Sequence, residues 1–334
     1  MGSRLTDLVR VAVSGAQAFV NAATHAPGTL ATGATDPVHK RVLSLIYNPK
    51  VPGENGQKLN KVLRWNDPDE LARRYIEDVR QISYGYANYE LVERIEIDDF
   101  PVKADGFKYT ADDFINRWRT RSGFHQPDAV SYDVILAQFQ IIERVNSGSI
   151  DEVWLHGFPH AGFYESIMGG PGAFWCNAPA LKQTAHARRR FVIMGFNYER
   201  GVGEMLEAFG HRAESIMQHT FRQRRGAANL WQRFIRYDKS HPGQAEVGTV
   251  HFAPNSLADY DWGNSTMVSS LCDDWLNYPQ FNGKRRQVNC QDWGNGDIRL
   301  HHIWWFQRLP HLAGKLNGIS NNWWEYVINP NLVH

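Results

Sequence analysis

The sequence predicts an α/β protein: a mostly parallel sheet flanked by helices, followed by a long, irregular, Trp- and Asn-rich C-terminal extension. Three observations carry this. Short, partly β-branched apolar runs recur along the first two thirds of the chain, as strands covered on both faces do. Amphipathic helices alternate with them, which favours parallel crossovers. The stretch Arg190–Met217 joins a strand, a glycine-bearing turn and a two-faced helix in one segment.

The elements follow in chain order. Residues 1–40, with Pro27, Gly28, Gly33 and Pro37, read as a leader; residues 41–334 read as one α/β domain with a core over 41–230 and a loop-rich extension over 231–334. VLSLIYNP (Val42–Pro49) is a buried strand ended by proline. Asp67-Pro68-Asp69-Glu70 starts a helix, with Asp67 as cap and Pro68 at its first position. Leu71, Tyr75, Val79 and Ile82 form its apolar face. Tyr89–Phe100 alternates in part and reads as a strand near an edge. Thr110 caps a short helix, and Ser131–Val145 reads as one amphipathic helix built on Ile135, Phe139 and Ile142.

Val153-Trp154-Leu155 is the next strand, followed by a glycine-rich loop to about Pro179. RFVIMGF is a third buried strand. In the helix after it, Val202, Met205, Leu206, Phe209, Ala213, Ile216 and Met217 share one side, while Arg200, Glu204, Glu207, His211, Glu214 and Gln218 share the other. Glu204 and Glu207 sit where the helix dipole favours carboxylates.

The chain has 334 residues, 43% hydrophobic and 21% charged, so a sizeable core can form. A formal charge of +1 argues against a nucleic-acid surface driven by phosphate attraction. No apolar run approaches the ~20 residues of a membrane span. Cys176, Cys272 and Cys290 lack the spacing of a structural zinc site, and Cys272 and Cys290 could bridge in an oxidising compartment.

Ligands of open α/β sheets bind beyond the carboxyl ends of the strands. The first strand ends at Asn48; the second offers His156, His160 and, past a loop, Glu165; the third offers Asn197, Glu199 and Arg200. If the last two strands are neighbours, histidines meet a Glu/Arg pair across one cleft. That suits general acid–base work or a divalent metal. Glu199 and Arg200 are the leading catalytic candidates, with Glu165 and His160 in support, and Asn48, His156 and Asn197 as substrate contacts. Imidazole and carboxylate suit zinc or manganese, and His160, Glu207 and His211 are the candidate ligands. There is no HExxH, GxGxxG, phosphate-loop or GxSxG motif. Twelve tryptophans are present; Trp262 and Trp293, beside Asp and Asn, are candidates for stacking on sugar rings, the alternative being a Trp-rich core.

DEVWLHGFPHAGFYESIMGGPGAFWCN, RRFVIMGFNYERGVGEMLEAFGHRAESIM, DYDWGN, CDDWLNYP, HHIWWFQRLPHLAG and NNWWEYV resemble a family of microbial, often secreted proteins, some fused to fibronectin- or immunoglobulin-like modules. The resemblance covers most of the chain from Val42. Related members carry GGP where this chain has His156-Gly157-Phe158-Pro159, and a further cysteine near Asn295. The resemblance implies an extracellular role, a cytoplasmic one remaining open, and assigns no reaction. The expected function is a secreted hydrolase acting on a glycan or glycopeptide by carboxylate acid–base chemistry. The alternatives are a metal-dependent hydrolase or peptidase, and a non-catalytic carbohydrate-binding protein.

Overall fold

The computed structural model describes residues 36–334. The leader expected over residues 1–40 lies outside them up to Thr35, and Val38–Lys40 belong to the first strand. The chain divides into two compact units: residues 36–232 with 323–334, and residues 233–322. No helix among the described residues is long and apolar enough to cross a membrane.

The first unit is built on a five-stranded sheet in the order β4–β1–β5–β7–β6. β1 (Val38–Tyr47) starts four residues earlier than its apolar run. A small hairpin, β2 (Lys50–Val51) and β3 (Gln57–Lys58), follows. β4 (Ala87–Ile97), β5 (Glu152–Gly157) and β7 (Phe191–Asn197) run parallel with β1, whereas β6 (Ser166–Gly169) is antiparallel to β7. β5 is buried at all six positions, as a central strand is; β4, at the edge, is mostly part-exposed.

Helices cover both faces. α1 (Leu59–Val62) is a single turn. α2 (Pro68–Ile82) is capped as the sequence predicts, the Asp67 side chain accepting from the Asp69 N–H at 3.0 Å. α3 spans Ala111–Thr120, with Thr110 as its cap. The helix expected over Ser131–Val145 is two helices, α4 (Tyr132–Gln138) and α5 (Ile141–Ser147), broken at Gln140 with φ +49°. A continuous helix would aim Ile141 and Val145 roughly 80–120° away from Ile135. The break returns both to the cluster that Ile135 makes with Leu43, Val153 and Ile193 of the sheet.

On the opposite face lie α2 and α6 (Val202–Thr220). Strand alternation sends Glu152, Trp154 and His156 of β5 to this side. Tyr75 of α2 packs against Trp154, Phe196 and Phe209 with ring centres 5.1–6.0 Å apart. One ion pair is buried beneath α6: Arg212 Nη1 lies 2.7 Å from Glu152 Oε1, and both side chains are inaccessible. Glu152 also accepts from Trp154 Nε1 (2.9 Å) and the Tyr89 hydroxyl (3.4 Å). Arg212 is thus held by the Glu152 carboxylate at contact distance. α7 (Leu230–Phe234) is short, and α9 (Trp324–Ile328) closes the unit.

Gly195 of β7 is needed for its size. A Cβ there would sit 2.3 Å from the Tyr164 carbonyl oxygen and 2.8 Å from the Phe163 Cβ. Gly195→Ala is therefore expected to cost about 1–3 kcal/mol by overpacking. A urea midpoint unchanged from wild type would contradict that close approach.

The second unit has little regular structure. It holds β8 (Val268–Ser270) paired with β9 (Arg286–Val288), β10 (His311–Leu316) paired with β11 (Ile319–Asn322), and α8 (Ile298–Gln307). Its core is aromatic. Trp275 Nε1 donates to Glu246 Oε2 and Trp305 Nε1 to the Gly248 carbonyl. Trp262 and Trp293 belong to this core: they are 4% and 1% exposed, and Trp293 Nε1 donates to the Trp262 carbonyl. They offer no open ring face to a sugar, so the Trp-rich core is the correct reading. Cys272 and Cys290 are separate buried thiols rather than a bridge; the first lies 3.6 Å from Asp273 Oδ1, the second 3.5 Å from Asn295 Oδ1.

Candidate functional site

The strand order reverses at β1, which has β4 on one side and β5 on the other. The crevice between the β1 and β5 tips is where such a sheet would hold a ligand. Here the polypeptide fills it. Phe163 packs 5.7 Å from Tyr47 and lies where a side chain on Gly157 would go. The buried Tyr198 donates its N–H to the Gly157 carbonyl and its hydroxyl to the Tyr47 carbonyl, both at 2.9 Å.

The open site lies one strand further on, between the β7 tip and the start of α6. A cavity of about 220 Å³ is lined there by Asn197, Arg200, Glu204, Glu207 and, from the segment leading into β6, Glu165. Local structure sets each residue. Asn197 Oδ1 accepts from the Glu199 N–H (2.9 Å), closing the turn after β7. Glu204 reaches back to the Gly201 N–H (3.1 Å) and caps α6. The Gly195 N–H donates to the Glu165 carbonyl, which fixes Glu165 beside the β7 tip.

Beside this cavity His211 gathers the carboxylates. Its Nε2 lies 3.9 Å from Glu165 Oε2 and 4.0 Å from Glu207 Oε1, and its Nδ1 lies 3.2 Å from Glu214 Oε2. Burial would lower the imidazole pKa. The hydrogen bond to Glu214 and the charges of Glu214, Glu165 and Glu207 outweigh it, and the net shift is upward. Glu207 is buried at 5% exposure, although it lies on the polar side of the helix. Asn177 Nδ2 donates to Glu165 Oε2 at 2.6 Å and orients it.

The other candidates lie elsewhere. Asn48 is a structural residue: it is buried, donates to Asn60 and Glu96, and accepts from the Asn60 N–H. His160, with φ +63°, stacks on Phe124 at 3.7 Å and pairs its Nδ1 with Asp128 Oδ2 at 3.1 Å. Its carbonyl accepts from the buried Lys103. It does not line the cavity with Glu207, so the expected grouping of His160 with Glu207 and His211 does not form. Glu199 lies on the same turn as Arg200, 3.9 Å from its Nε, but does not line the cavity.

His156 is fully buried rather than placed to touch a substrate, and neither ring nitrogen has a hydrogen-bond partner among the described residues. Desolvation, only partly offset by Asp69, pushes its pKa down to about 4. An unfolded chain would take up this proton near pH 6.5, whereas the folded one refuses it until about pH 4. Stability should therefore fall as pH drops through that window, by about 3 kcal/mol from this group alone. Urea midpoints of wild type and His156→Leu at pH 7, 5.5 and 4 check it: the variant should lose that part of the acid slope, and parallel slopes would contradict it.

Nε2 of His211 lies 3.9 Å from the Glu165 oxygen and 4.0 Å from the Glu207 oxygen, a spacing that two donors each about 2 Å from a shared ion can take. Glu207 and His211 therefore suit a zinc or manganese ion as well as proton transfer. No protein-family model, curated protein or solved structure matches this chain at a meaningful level.

Proposed function

We propose that this chain is a hydrolase that cleaves a glycan or glycopeptide by acid–base chemistry, with its reaction centre in the cavity between β7 and α6. The observation that carries the proposal is the convergence of Glu165 and Glu207 on His211 beside an open cavity. Both carboxylate oxygens lie within 4.0 Å of one imidazole nitrogen. That caps their separation at about 8 Å, below the upper limit for paired glycosidase carboxylates. In this reading Glu165 and Glu207 are the proton donor and acceptor, and His211 holds them in register. Arg200, at the cavity edge, meets developing negative charge. The resemblance to often-secreted proteins supports an extracellular polymer as substrate.

The test is release of new reducing ends or amines from a panel of glycans and glycopeptides, with Glu165→Gln and Glu207→Gln beside wild type. Loss in both variants, with folding intact, is the expected result. Full activity in both would overturn the proposal.

A further inference from the structure

Two basic runs stand apart in the chain, Arg188-Arg189-Arg190 and Arg222-Gln223-Arg224-Arg225. The fold brings members of both to one surface, at the C-terminal end of α6. Phe174, in the loop between β6 and β7, is the joint. His219 of α6 stacks on its ring at 3.8 Å with the planes 12° apart, and the Arg190 guanidinium carbon lies 5.4 Å from the centre of the same ring. Arg222 Nη1 donates to the His219 carbonyl at 2.8 Å, and Arg225 Nη1 to the Arg222 carbonyl at 2.8 Å. Arg190 is fixed by the chain around it: its Nε donates to the Pro171 carbonyl, and its Nη1 to those of Pro330 and Val333. Arg222 and Arg225 are exposed.

No carboxylate answers these cations. Residues 166–197 and 215–237 contain no Asp or Glu, although the whole chain has 35 acidic residues to 36 Lys and Arg. Among the described residues, none of Arg190, Arg222 and Arg225 pairs with an acidic side chain. Burial and the charge of Arg222 lower the Arg190 pKa; burial, Arg222 and Arg190 lower that of His219. The end of a helix carries about half a negative charge, which offsets only part of this excess. Guanidinium forks match pairs of carboxylate or sulfate oxygens.

We propose that this surface holds an acidic polysaccharide, its uronate or sulfate groups seated on Arg190, Arg222 and Arg225. The assignment goes beyond the reaction centre and takes from the reading above only that the polymer is a glycan. Glu207 and His219 are about 18 Å apart along α6, so the acidic units rest away from the carboxylates of the cavity. A nucleic-acid duplex needs a wider basic field, since its charges recur every ~1.7 Å, and Glu207 and Glu214 of α6 interrupt this one.

Titration calorimetry on the full chain tests it, with a heparin-type sulfated hexasaccharide and a galacturonate hexamer as probes. At least one should bind, and which one tells sulfate from uronate. Added salt should weaken that binding. Arg222→Gln with Arg225→Gln should weaken it at least about tenfold, and Arg222→Lys with Arg225→Lys, which keeps the charge, should retain most of it. Arg74→Gln with Arg80→Gln removes two exposed cations of α2 and should leave it unchanged. Binding of neither hexamer, affinity indifferent to salt, or equal weakening by the two Gln pairs would overturn the assignment. So would tighter binding of an oligonucleotide of equal charge, or of phosphatidylserine vesicles, with the same dependence on Arg222 and Arg225.

The two proposals fail separately. Hexamer binding that needs Arg222 and Arg225, with cleavage untouched by Glu165→Gln and Glu207→Gln, removes the reaction centre and leaves the surface. Cleavage that needs both glutamates, with neither acidic hexamer bound, does the reverse.

Discussion

Arg212→Ala is expected to destabilise the 36–232 unit by about 3–5 kcal/mol, the cost of leaving one member of a buried ion pair alone. The partner left behind is Glu152, at the start of the central strand β5, with no solvent to turn to. Trp154 and Tyr89 still donate to it without carrying a positive charge, and Lys40 acts on it only through space. The pair does not have to be a net source of stability for this to hold, since desolvating both ions offsets much of their attraction. Arg212→Met combined with Glu152→Gln should therefore recover most of the loss, because the amide oxygen can still accept from Trp154. Urea unfolding of the single and double variants measures both. A single variant within about 1 kcal/mol of wild type would mean that the buried charge is compensated in another way.

Glu207→Gln is expected to lower turnover by about 10²–10⁴-fold, the usual contribution of a general acid or base. The substitution keeps shape and hydrogen bonding but removes the titrating proton. Because Glu207 is one of three carboxylates that hold the His211 pKa up, its loss should also move that group. Its direction is downward, since one stabilising negative charge disappears. A wild-type imidazole with a raised pKa contributes stability that is complete below about pH 6.5 and fades as pH rises through the folded value. In Glu207→Gln that loss should be smaller and complete at lower pH. NMR titration of the His211 ring in wild type and variant gives the direct comparison, and an unshifted midpoint would contradict the coupling.

Much of the fold is legible because its signals are local. The Asp67-Pro68 start of α2, the apolar run of β7 and the turn–helix junction at Gly201 are each written within a few residues, and the structure places them where periodicity does. The break at Gln140 is not legible, because it serves contacts with Leu43 and Val153 that are distant in sequence. Arg212 is a different case. It stands three residues after Phe209 and so falls on the apolar face of α6, but a charged residue there has a reason only once Glu152 is known to lie opposite.

The site was legible in part. Strand tips pointed to Asn197, Arg200 and Glu165, which line one cavity, and helix spacing put Glu207 and His211 on one side of α6. The same rule misplaced His156: it counted the residue as part of a loop, whereas β5 continues to Gly157 and its alternation turns the ring inward beside Trp154. Asn177 carried no local signal, since its role depends on a loop folding back onto Glu165. Trp262 and Trp293 look like exposed platforms only when a run of Asn and Asp is read as surface; Asn also serves a loop-rich core by holding its backbone, as the buried Asn255 does for the Asn264 and Thr266 carbonyls.

Polymer cleavage by wild type, Glu165→Gln, Glu207→Gln and Glu199→Gln, measured side by side, tests the location of the reaction centre most directly. The cavity geometry predicts that Glu199→Gln stays close to wild type while the other two lose at least about 100-fold. Loss confined to Glu199→Gln, with Glu165→Gln and Glu207→Gln fully active, would contradict it.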